Sequence, residues 1–118
     1  MNDRTSKLNE LIHQELDKII LKEVEMPDGV IVTLRRAKTD GDMKNCQIII
    51  SVWPEERKLE GLKALRKVAG HLQTLLNKKV NIHHTPRIAF RLATPDDDKE
   101  QNEAMELDSL FEQISKEL

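Results

Sequence analysis

The residues able to do chemistry in this chain are few, and their spacing excludes more than it offers. His83 and His84 stand side by side, with His71 upstream. Adjacent residues on an extended strand point to opposite faces, so this pair cannot chelate one ion and no metal site is expected. Asp96, Asp97 and Asp98 form an acidic run without the ordered spacing of a calcium loop, and read as a solvated loop. Cys46 and Ser51 fall inside an apolar stretch with no base placed to activate them, so nucleophilic catalysis has no support. Cys46 reads instead as a small core residue. No Gly-rich phosphate loop, Walker motif or dinucleotide fingerprint is present. The chain is therefore expected to be neither an enzyme nor a cofactor or small-molecule binder.

What remains is charge. The overall balance is −2, but residues 56–91 hold 9 basic against 2 acidic residues, and residues 92–118 hold 2 basic against 9 acidic. The basic third comprises Arg57, Lys58, Lys63, Arg66, Lys67, Lys78, Lys79, Arg87 and Arg91. Such a block attracts phosphates, or is neutralised in the fold by the acidic tail. Lys63 and Lys67 are one helical turn apart and share a face, clear of the apolar stripe, and Lys78 and Lys79 follow at the helix end. A ridge of this kind can track a phosphate backbone. With two Phe, one Trp and no Tyr, binding would read RNA shape and phosphates rather than stack bases. The one Trp, Trp53, reads as partial core, with a base-stacking platform as the alternative.

The elements that must position these cations follow from periodicity. Leu8, Leu11, Ile12, Leu16, Ile19 and Ile20 recur at three and four, which predicts a helix from Thr5 to Glu23, capped by Asp3, Thr5 or Ser6. Pro27-Asp28-Gly29 signals a turn. Val30–Lys38 alternates as a strand, Thr39–Asn45 is a polar loop containing Asp40-Gly41, and Cys46–Trp53 is a nearly continuous apolar strand, hence central. Lys58–Leu76 is helical on the stripe Leu62, Leu65, Ala69, Leu72 and Leu76, interrupted at Gly70 and stopped by Asn77. Val80–His84 and Arg87–Ala93 are extended around Thr85-Pro86. An acidic loop then leads to a last amphipathic helix over Glu103–Leu118, with Leu107, Leu110, Phe111 and Ile114 on one face.

The length of 118 residues suits one domain, 1–118, with 94–118 as its acidic C-terminal loop and helix. The first two strands make an antiparallel hairpin, and about 30 residues separate the second from the third, enough for a parallel crossover. The expected architecture is a two-layer α+β domain. No apolar run approaches the roughly 20 residues of a membrane span, and Met-Asn-Asp-Arg-Thr-Ser is not followed by an apolar stretch, so no secretory signal is read. A single cysteine makes no internal disulfide. A cytoplasmic protein is expected.

This order of elements resembles that of the bacterial ribosome-binding factor A family, from about Leu8 to Ile114. The resemblance is carried by the strand Cys46-Gln47-Ile48-Ile49-Ile50-Ser51-Val52, by the helical segment Leu65-Arg66-Lys67-Val68-Ala69-Gly70-His71-Leu72, and by Thr85-Pro86-Arg87-Ile88-Ala89-Phe90. It implies a type II KH-like fold, a three-stranded mixed sheet covered on one face by helices in the order α-β-β-α-(kink)-α-β plus a C-terminal helix. The family has a kink of the form Ala-x-Gly, which falls here on Val68-Ala69-Gly70 with Val in the first place. Gln73 and His83 stand where the family often has Arg or Lys, and Arg87 where an acidic residue is usual.

The function implied is that of a small-ribosomal-subunit (30S) assembly factor that binds ribosomal RNA and assists its late maturation, without catalytic activity or cofactor. The partners are then the small subunit and its ribosomal RNA, with no membrane, and the default state is a monomer. The RNA-binding residues expected are Lys63, Arg66, Lys67, Val68, Ala69, Gly70, His71, Lys78, Lys79 and Arg87. The alternative is a KH-like protein–protein interaction module using its acidic C-terminal segment.

Overall fold

The three-residue spacings of the N-terminal stripe come out as one long helix. In the computed structural model, which describes residues 3–80 and 84–97, α1 spans Asp3–Glu23. Its buried face is Leu8, Ile12, Leu16 and Ile19. Thr5 and Ser6 lie inside the helix, so neither caps it; the helix already runs at Asp3. After it, the Val30 N–H donates to the Pro27 carbonyl at 3.0 Å. Gly29 has φ +80°, the third position of a type II turn, where a side chain is disfavoured.

β1 (Ile31–Thr39) and β2 (Asn45–Trp53) form the antiparallel hairpin, in register from Ile31 opposite Trp53 to Thr39 opposite Cys46, with a bulge between Leu34 and Arg36. In the connecting turn the left-handed residue is Met43, at φ 62°, and not Gly41. β3 (Arg87–Leu92) pairs parallel to β2, from Asn45 opposite Arg87 to Ile50 opposite Leu92. The sheet order is β1-β2-β3. β2 has a neighbour on each side, which explains its continuous apolar sequence.

One face of this sheet carries the core. Leu34, Ala37, Cys46, Ile48, Ile50, Ile88 and Phe90 pack with Ile12, Leu16, Leu62, Leu65, Leu72, Leu76 and Val80. Each such aliphatic side chain contributes about 1.5–3 kcal/mol on burial. The inward positions of β2 are Cys46, Ile48, Ile50 and Val52, so Trp53 falls on the other face. It is 66% exposed, which corrects its reading as partial core. The result is the expected α+β architecture, a three-stranded mixed sheet with helices on one face in the KH-like order.

The second helical region departs from expectation in detail. A 3-10 turn (Glu55–Arg57) leads into α2 (Lys58–Lys67), and α3 runs over Ala69–Lys79. The break sits at Val68, with φ −109° and ψ 12°, not at Gly70, which lies in the first turn of α3. The two helices differ in their main partners: α2 packs on β2 and β3, α3 chiefly on α1 and less on β3. Val68 is where the chain changes direction between those surfaces. Its N–H donates to the Leu65 carbonyl at 3.2 Å and its carbonyl receives the Leu72 N–H at 3.0 Å, so the break leaves few backbone groups unsatisfied. Asn77 does not stop α3; it is helical, and its Oδ1 accepts from Gln73 Nε2 at 3.0 Å.

After β3 the acidic run is not simply solvated. Residues 95–97 form a helical turn. The Asp97 carboxylate accepts from the Thr94 N–H at 2.7 Å and the Thr94 hydroxyl at 2.9 Å, and the Asp97 N–H donates to the Thr94 carbonyl at 3.1 Å, with Pro95 at the first helical position. The expected helix over 103–118, its apolar stripe, Asp98 and His83 lie outside the described residues.

Candidate nucleic-acid interface

The fold sorts the nine cations of the basic third by what each one touches. Arg57 is committed: Nε and Nη2 donate to the Glu60 carboxylate at 3.1 and 2.9 Å, and Nη1 donates to the Asp28 carbonyl at 2.8 Å. It ties the start of α2 to the turn before β1, and it holds the Glu60 carboxyl below the usual range. Lys58 lies 4.0 Å from Glu55. Arg91 donates from Nη1 and Nη2 to Asp97, each at 2.9 Å, and from Nε to Gln47 at 3.0 Å. Among the described residues this is the one ion pair between the basic third and the acidic tail. Arg66 donates from Nη2 to the Phe90 carbonyl at 3.1 Å. At 100° per residue it leaves α2 about 60° from Lys63 and 100° from Lys67, on the side toward β3.

Arg87 is exposed and alternates with the inward residues Ile88 and Phe90, so it projects from the open face of the sheet. The structure does not bring it to the other predicted residues. Four cations are left: Lys63, Lys67, Lys78 and Lys79. All are exposed on the helical layer, and none forms an ion pair among the described residues.

Two concavities receive these lysines. Lys63 and Lys67 line a groove of about 770 Å³ between α2 and the end of α1, with Ala64, Val68, Val24, Met26 and Pro27 as its apolar lining. Its other walls carry Glu23, Glu25, Asp28 and Glu60. Lys78 and Lys79 line a separate cleft of about 520 Å³ between α3 and α1. Glu23 borders both, and its carboxylate lies 3.6 Å from His71 Nε2. His71 thus stands between the two lysine pairs. Ala69 and Val68 are half-buried against the core. Gly70 is exposed, and a Cβ built on it meets nothing within 4 Å.

Sequence reasoning missed several structural roles here. Gln73, read as a lost cation, is a clamp: its Oε1 accepts the Ile88 N–H at 2.8 Å and its Nε2 donates to the Pro86 carbonyl at 3.1 Å, fixing α3 to the start of β3. Gly61 lets α2 approach the sheet, since a Cβ there would sit 2.8 Å from both Val52 methyls. Lys18 and Lys22 of α1 join Lys78 and Lys79 around the second cleft. Their i, i+4 spacing is visible in the sequence, but nothing local says what they face.

The chemistry such a surface can do is electrostatic. Ammonium groups without ion-pair partners act as point charges toward phosphates. Burial pushes the Cys46 thiol up, away from the thiolate form needed for attack. No group of three or more metal-ligating side chains comes together among the described residues. No helix among them is long and apolar enough to cross a membrane.

The family model for ribosome-binding factor A matches residues 4–111. The chain belongs to the ribosome-binding factor A family. Similar proteins carrying that name include one from Akkermansia muciniphila, 32% identical over 118 residues and covering 100% of this chain and 90% of its own. Another, from Clostridium botulinum, is 28% identical over 116 residues, with 96% of each chain covered. Among solved structures, the crystal structure of ribosome-binding factor A from Thermus thermophilus superposes with a TM-score of 0.62 at 19% identity, covering 75% of this chain and 94% of that one. A homology model of the same Thermus protein, fitted into a cryo-EM map of a 30S–RbfA complex, gives 0.54 at 19% identity, covering 75% and 89%. These likenesses confirm the fold.

Proposed function

We propose that this protein binds the small ribosomal subunit through its ribosomal RNA and assists late maturation of that RNA. It acts as a cytoplasmic monomer, without cofactor or catalysis. The observation that carries the reading is the coincidence of a family match over residues 4–111 with four lysines held on the helical layer without ion-pair partners among the described residues. The fitting of a Thermus relative into a 30S complex supports the choice of partner. The contact surface is Lys63, Lys67, the Val68-Ala69-Gly70-His71 break, Lys78 and Lys79. Arg66 positions α2 over β3 through its bond to Phe90, and Arg87, on the open sheet face, is left out. Lysines without base-edge readers bind phosphates and shape. Assistance then follows from differential affinity: an RNA conformation that fits this surface is held, and the protein leaves when the mature conformation no longer fits.

Lys63→Glu/Lys67→Glu tests the site. Both side chains are exposed, so far-UV circular dichroism stays unchanged while co-sedimentation with small subunits is lost. Undiminished co-sedimentation of this variant refutes the site.

A further inference from the structure

Four ammonium groups from elements far apart in sequence converge on one cleft. α1 places Lys18 and Lys22 one turn apart on one face, and Lys78 and Lys79 end α3. Where α1 packs against α3, these four side chains surround the 520 Å³ cleft, which is also lined by Ile19 and Leu75. Two carboxylates share the cleft and both are engaged: Glu15 with Lys18 at 3.6 Å, Glu23 with His71 at 3.6 Å. Among the described residues Lys22, Lys78 and Lys79 form no ion pair.

Helix-end electrostatics accounts for part of this. Lys22, Lys78 and Lys79 each lie in the last turn of a helix, where a cation meets the negative end of the dipole. That preference is satisfied at any azimuth around the helix axis, so it does not explain why the two helix ends turn their lysines onto the same cleft. Like charges there repel, and a polyanion relieves the repulsion along its length.

Resting on the functional reading above, we infer that the α1–α3 cleft is a second phosphate subsite. The RNA backbone met by Lys63 and Lys67 continues past the Glu23–His71 pair and is gripped by Lys18, Lys22, Lys78 and Lys79. Glu23 lines both concavities, so the two adjoin at that residue, where the proposed strand passes from one to the other. The assignment adds α1, through Lys18 and Lys22, to an interface otherwise made by α2 and α3.

The experiment is association of the full chain with purified small subunits across a salt series of about 50–200 mM, comparing wild type with Lys18→Ala/Lys22→Ala. Losing two phosphate contacts lowers the slope of log K against log salt by about 1.4–1.8, and lowers affinity about 25- to 60-fold near 0.1 M salt. Lys18→Arg/Lys22→Arg keeps the wild-type slope, and Lys7→Ala/Lys44→Ala, the same charge change at exposed positions elsewhere, also leaves it in place. Equal slopes for wild type and Lys18→Ala/Lys22→Ala overturn the cleft assignment, as does an equal loss in Lys7→Ala/Lys44→Ala. A wild-type protein that binds no small subunit at any salt overturns the functional reading itself, and with it the cleft.

Discussion

Replacing Gly70 by Ala separates the demands of the fold from those of the partner. Gly70 lies in the first turn of α3, outside the left-handed region, and a Cβ there meets nothing within 4 Å. The free protein therefore has no steric use for a glycine at this position, and the substitution gains helix propensity and lowers unfolded-state entropy by about 0.5–1 kcal/mol. For a chain of 118 residues that raises the melting temperature by about 2–6 °C. If the glycine serves close approach of an RNA backbone, the added methyl lowers affinity for small subunits by about tenfold or more, about 1.4 kcal/mol. Gly61→Ala is the matched control. Its Cβ would sit 2.8 Å from both Val52 methyls and 3.2 Å from Val32 Cγ2. Overpacking of that kind costs about 1–3 kcal/mol, which outweighs the same propensity gain, so Gly61→Ala melts lower. The assay is a thermal melt of each variant beside its co-sedimentation with subunits. A Gly70→Ala protein that melts lower refutes the helical placement of Gly70; one that melts higher and binds unchanged refutes its place in the contact surface.

Two further outcomes concern the scaffold. The Arg91 guanidinium, then the Thr94 backbone N–H, hold the Asp97 carboxyl well below the usual carboxylate range. A depressed folded value means the stabilisation is full above the unfolded value near 3.9 and fades as pH falls through the folded one. Asp97→Asn is thus less stable than wild type by about 1 kcal/mol at pH 7, and the gap narrows in urea melts below about pH 4; a gap constant down to pH 2 contradicts the charge account. Gln73→Ala leaves the Ile88 N–H without its acceptor and costs about 1–2 kcal/mol, read as a lower urea midpoint; an unmoved midpoint shows that the clamp is replaceable by water.

The elements were legible where burial imposes a period. The stripes of α1, α2 and α3 follow from side chains that must face one core, the antiparallel pairing of β1 with β2 follows from their short connection, and the apolar run of β2 marks its central place. The same run masks its alternation, which makes Trp53 read as core although its parity with Ile49 and Ser51 puts it on the open face. The family kink falls on Val68-Ala69-Gly70 and the break lies at its first residue; periodicity alone points to Gly70, because glycine is the local signal whereas the break is set by α2 docking on the sheet and α3 chiefly on α1. On α2, Lys63 and Lys67 share an exposed face, as their helical spacing implies. The bond of Arg66 to the Phe90 carbonyl and the place of Arg87 on the open sheet face are tertiary facts that no local spacing shows. Gln73 looked like a missing charge and is instead a clamp, which only the approach of β3 reveals.

The central claim is that the cations of the helical layer bind the small subunit through RNA phosphates. Co-sedimentation of the wild-type chain with purified small subunits across a salt series, with large subunits in parallel, tests it most directly. The account predicts selective small-subunit binding that weakens steeply with salt, with a slope of at least about 3 if Lys63, Lys67, Lys78 and Lys79 each neutralise one phosphate at 0.7–0.9 per contact. Equal binding to both subunits, no binding, or binding indifferent to salt contradicts it.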